Sequence, residues 1–101
     1  MILIALKEYL NKDGATLPDV GRELYDIVKS SLHKSEQVQV DMSDVASLPS
    51  SLLNTFLGDL IKDFGFSVLK DIIFTNLTKI QAQRLVKYVD DVKEISGLAR
   101  R

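Results

Sequence analysis

The chain has no cysteine and no tryptophan, a single histidine, two prolines and five glycines. Without cysteine there is no disulfide framework, no thiolate metal site and no cysteine nucleophile. That is compatible with a reducing compartment, and the cytoplasm is the expected location. An excess of charge of one sign is missing too: 13 basic residues stand against 14 acidic ones, for a net charge of −1. Such a balance gives no general pull toward nucleic acid or anionic lipid. Nor does any aromatic–basic interleaving suggest a single-strand platform. No apolar run approaches the roughly 20 residues of a membrane span. The apolar start, Met1–Leu6, stops at Lys7–Glu8 and is too short for a secretory core, so it reads as a buried strand. Neither nucleic acid nor membrane is an expected partner.

Chemistry is equally scarce. His33 lies among Lys34, Ser35 and Glu36, with no partner that spacing would place beside it. Asp41 and Asp44 are two carboxylates in one loop, too common a pattern to specify a metal, and Asp90–Asp91 reads as a solvated helix face. Glycines 14, 21, 58, 65 and 97 are scattered singly, without a phosphate-binding loop pattern. No catalytic residue, metal or cofactor is therefore expected, and the chain reads as a non-enzymatic protein. Arg100–Arg101, the one basic cluster, reads as a solvated chain end.

What remains is a globular composition, 46% hydrophobic and 27% charged, over 101 residues. Residues 1–101 read as one domain, long enough to bury a core without staples. Met1–Leu6 is continuously apolar, as in a strand covered on both faces. A further strand within Lys7–Leu10 is a weaker expectation, and Asn11–Gly14 is a turn cluster. Thr16 can cap a first helix, with Pro18 in its first turn and Asp19 at the capping-box position. Val20, Leu24, Ile27, Val28 and Ser31/Leu32 then recur at helical spacing.

Gln37–Met42 alternates, with Val38, Val40 and Met42 pointing one way. After the loop Ser43–Pro49, the apolar residues Leu52, Leu53, Phe56, Leu57, Leu60, Ile61 and Phe64 mark a second helix that ends at Gly65. A third strand is expected over Asp71–Phe74, with Val68 and Leu69 before it. A third helix follows, capped by Asn76 or Thr78, with Ala82, Leu85, Val86, Val89 and Val92 as its buried side. The order is β-α-β-α-β-α, an α/β fold with a mixed, mostly parallel sheet packed by helices. No surplus apolar stripe remains after these faces are assigned.

One segment combines unusual parts. A strand ends at Asp41, a Ser/Ala loop follows, and Ser50 and Ser51 open a strongly amphipathic helix. A helix start carries unsatisfied N–H donors and partial positive charge. A serine there is an N-cap, or a place where a phosphate is easily accommodated.

Val38–Val45 followed by Pro49-Ser50-Ser51-Leu52 resembles the signature of STAS domains, the fold of bacterial anti-sigma factor antagonists. Pro49 stands where that motif has aspartate, and Leu52 where it has glycine. The whole chain is similar to the STAS-like family, through Gly21–Tyr25, Val38–Met42, Ser50–Asn54 and Ile72–Asn76. The resemblance implies a protein–protein regulatory module whose partner is a histidine-kinase-like ATPase or an anti-sigma factor. It also implies a partner surface of Asp41, Ser43, Asp44, Ser50, Ser51 and Asn54, with Ser51 in the position that a kinase phosphorylates. The alternative is a structural or small-ligand-binding accessory subunit, in which the serine pair is only a helix cap.

Overall fold

A computed structural model describes the backbone of residues 1–99 and the side chains of residues 1–95; the Arg100–Arg101 pair lies outside the described residues. Three parallel strands, β1 (Ile2–Ala5), β2 (Val38–Asp41) and β3 (Ile72–Thr75), form a sheet in the order β1-β2-β3. The β-α-β-α-β-α order stands. The sheet is wholly parallel among the described residues rather than mixed.

Around it come α1 (Leu6–Leu10), α2 (Leu17–His33), α3 (Ser50–Leu53), α4 (Asp59–Phe64) and α5 (Lys79–Ala99). A π-helical turn, Asn54–Gly58, joins α3 to α4 without leaving right-handed helical backbone. The second helix is thus one rod with a wide turn in its middle, and it ends at Gly65, whose φ of 82° suits only glycine well. The first helix starts as its sequence suggests. Thr16 Oγ1 accepts from the Asp19 N–H at 3.2 Å, and Asp19 Oδ2 accepts from the Thr16 N–H at 3.4 Å.

Register explains the core. Ile2, Val38 and Ile72 lie side by side, as do Ile4, Val40 and Phe74, and this face meets the helices. Leu24 and Val28 of α2, and Leu53, Phe56, Leu57 and Leu60 of the second rod, close over it. Phe56 meets Phe74 edge to face, with ring centroids 6.4 Å apart. At one crossing α2 and the rod touch backbone to backbone. A Cβ added at Gly21 would lie 1.8 Å from Thr55 Oγ1 and 2.9 Å from the Leu52 carbonyl oxygen.

Four expectations change. Lys7–Leu10 is not a strand but most of α1, which leaves β1 directly and buries Leu6. The strand β1 is covered on one face only: Leu3 is 71% exposed, because period-2 alternation turns Leu3, Gln39 and Ile73 together to the side away from the helices. Before β3, Phe66–Asp71 coils as a 3₁₀ helix, so Val68 reaches the core from a turn. In α5 the expected apolar face is only partly used. Leu85 is buried, while Val86 is 62% exposed at the open flank of β3. Surplus apolar surface therefore exists. An apolar groove of about 280 Å³, lined by Leu57, Leu69, Ile72, Phe74, Val86 and Val89, runs under α5 along that flank.

Candidate functional site

The candidate residues gather where β2 ends and the second rod begins. The carboxylate of Asp41 is a structural node. Its Oδ1 accepts from Asn76 Nδ2 at 2.8 Å, from the Ser43 N–H at 2.9 Å and from the Ser43 hydroxyl at 2.7 Å. The Asn76 amide and then the two Ser43 donors hold its pKa down at about 2. The node ties the end of β2 to the residue just past β3. Asn76 takes a left-handed backbone conformation there, with φ of 57°, which asparagine tolerates better than most residues.

Asp44 also has left-handed backbone, with φ of 62°, but its carboxylate turns to Lys7 Nζ at 3.1 Å, away from the Asp41 node. Among the described residues no group of three or more acidic, histidine or cysteine side chains could hold a metal ion. The loop between is fixed from below by the buried side chains of Val45 and Leu48.

The helix start differs from the cap reading. Pro49, with φ of −67° and ψ of 151°, is the N-cap, so Ser50 and Ser51 are the first two helical residues, and no side chain caps α3. The reason is steric. Proline fixes its own φ and holds Leu48 out of the helical region, so the boundary falls at Pro49 and the helix begins one residue earlier than a Ser50 cap would require. Both serines are exposed. Ser50 Oγ accepts from Arg84 Nη2 at 3.4 Å, while the Ser51 carbonyl accepts from Thr55 Oγ1 at 3.0 Å. Asn54 sits one turn further on, and its Oδ1 accepts from the Tyr88 hydroxyl at 2.9 Å.

The sequence reading missed the part that α5 plays. Thr78 caps it, with the Thr78 N–H donating to Gln81 Oε1 at 3.0 Å and the Gln81 N–H to Thr78 Oγ1 at 3.1 Å. The same buried Gln81 then donates through Nε2 to the Val45 carbonyl. Arg84 donates through Nε to the Leu48 carbonyl, and Tyr88 reaches Asn54 over Gly58, where an added Cβ would lie 2.7 Å from the Tyr88 hydroxyl. The Thr-x-x-Gln spacing at 78–81 marks the capping box in the sequence. Nothing in the sequence announces the second half of the Gln81 contact. Six candidate residues thus fall into three local groups: Asp41 with Ser43, Asp44 with Lys7, and Ser50 and Asn54 under α5, with Ser51 free between them.

A family model described as a STAS-like domain of unknown function (DUF4325) matches residues 20–82, more than half of the chain. The chain belongs to the STAS-like domain family. The matched span runs from the second-rod contact of α2 to Gln81 and Ala82, so it holds β2, the loop, the whole rod and β3 of this STAS-like domain. No curated protein and no solved structure matches the chain. Among the described residues, no helix is long and apolar enough to cross a membrane.

Proposed function

We propose that this STAS-like domain is a non-catalytic regulatory module that docks a protein partner through the Ser43–Pro49 loop and the first turn of α3, in the manner of a bacterial, cytoplasmic anti-sigma factor antagonist. The observation that carries this reading is the state of Ser51. Its side chain is exposed on the first turn of a helix, is not used as a cap, and is flanked by a loop held rigid from three sides. Rigid presentation of an exposed polar turn lowers the ordering cost of a protein contact. Partner chemistry follows the family likeness: a histidine-kinase-like ATPase or an anti-sigma factor, with Ser51 as the residue that such a kinase modifies.

The apolar groove beneath α5 favours a second reading, a small-ligand-binding accessory subunit, since a groove of about 280 Å³ with one charged residue, Asp90, at its rim suits an apolar ligand. Capture from native cell extract with the wild type, Ser51→Ala and Ser51→Asp separates the two. Loss of the captured protein with Ser51→Asp alone supports docking at Ser51, because acidic residues are well tolerated in a first helical turn and the fold is retained. Equal capture by all three, or none, removes it.

A further inference from the structure

The strand β3 stands at one edge of the sheet. β3 pairs with β2 on one side and is unpaired on the other among the described residues. The Thr75 carbonyl accepts from the Met42 N–H at 2.9 Å, so Thr75 and, two residues earlier, Ile73 turn their backbone groups toward β2. By strand alternation the N–H and C=O of Ile72 and Phe74 point outward at the open edge. The side chains of those same two residues line the apolar groove, and Ile73, 37% exposed, projects from the open face.

We infer that two copies of this chain associate by antiparallel pairing of β3 about a two-fold axis through Ile73, making one six-stranded sheet. Directly opposite residues in an antiparallel pair share a face, and with Ile73 opposite its symmetry mate the register is fixed. Ile72 then faces Phe74 of the second copy, and Phe74 faces its Ile72, so all four outward N–H and C=O pairs are used. Both side chains lie on the groove side, where Val86 and Val89 give them apolar surface to cover. Aromatic–β-branched pairs are among the favourable cross-strand combinations. The flanking position sets Asp71 opposite Thr75, so no like charges meet. A two-fold interface must be self-complementary in this sense, with residue i meeting j and j meeting i.

The chain has no native cysteine, which makes the test direct. In this register Ile73 is a non-hydrogen-bonded pair, with Cα atoms about 4.5 Å apart, within the span of a disulfide. Ile73→Cys is expected to form an interchain disulfide under mild oxidation, giving double mass on a non-reducing gel. Leu3→Cys, on the same face and more exposed than Ile73, should nevertheless react at least tenfold more slowly. Sedimentation of the cysteine-free wild type should show concentration-dependent dimer, and Ile73→Lys, folded by circular dichroism, should be monomeric at the same concentrations. Wild type that stays monomeric up to millimolar concentration overturns the inference. So does an Ile73→Cys chain that cross-links no faster than Leu3→Cys, or a folded Ile73→Lys variant that still dimerises.

Discussion

Gly21 and Thr55 meet where α2 crosses the second rod: a methyl group at Gly21 would overlap the Thr55 hydroxyl, at 1.8 Å, and press on the Leu52 carbonyl oxygen, at 2.9 Å. The glycine is there for the approach of α2 to the rod that carries the serines, not for an unusual backbone angle. It therefore helps fix where Ser51 stands relative to the core.

Gly21→Ala is expected to destabilise the fold by about 1–3 kcal/mol, the usual range for overpacking. Urea unfolding measures it. Adding Thr55→Ala should return only part of the loss, since the Leu52 carbonyl is backbone and cannot step aside. Full recovery in the double variant would mean that the carbonyl contact does not matter.

Asp41 should make stability depend on acid. Its carboxylate has a folded-state pKa of about 2, held down by Asn76 and Ser43, against roughly 3.9 when unfolded. The unfolded chain therefore binds the proton more readily. The stabilisation is fully present above about pH 4 and is lost as pH falls through about 2. In unfolding curves taken from pH 5 to pH 2, the gap between wild type and Asp41→Asn should narrow steadily as pH drops. A gap that is constant across this range would contradict the node.

Gln81 anchors the loop from a buried position, donating to the Val45 carbonyl. Gln81→Leu leaves that carbonyl unpaired and removes the cap contact with Thr78. The expected loss is about 1–3 kcal/mol. Amide exchange should quicken in residues 43–50 more than in α2. Uniform quickening would show a general loss of stability instead of a local tether.

Arg84 holds the same loop from the exposed side, through the Leu48 carbonyl and Ser50 Oγ. Arg84→Ala should lower global stability by no more than about 1 kcal/mol, as expected for a solvent-accessible hydrogen bond. It should nevertheless weaken capture of the partner, because the first turn of α3 loses its support. Unchanged capture would place the docking surface elsewhere.

The strands, the capping box at Thr16–Asp19, the amphipathic rod and the family likeness were legible because each rests on local signals: alternation, caps and helical spacing. What was not legible depends on three-dimensional neighbours. Leu3 is as apolar as Ile2 and Ile4, so nothing local says that its face of the sheet is left open. Val86 fits the helical stripe of α5 as well as Leu85 does, and only the lateral position of α5 over the β3 edge separates them. The serine pair reads as a cap until Pro49 is seen to take that place. Asn76, Lys7, Arg84 and Tyr88 lie 34 to 37 residues from the groups they hold, and no spacing rule reaches that far.

The docking claim is tested most directly by the difference in amide hydrogen exchange of this domain with and without the protein it captures. Protection concentrated in residues 43–54, and absent from that region when Ser51→Asp replaces the wild type, is the expected result. Protection centred on the open sheet face around Leu3 and Gln39, with residues 43–54 unchanged, would contradict the account.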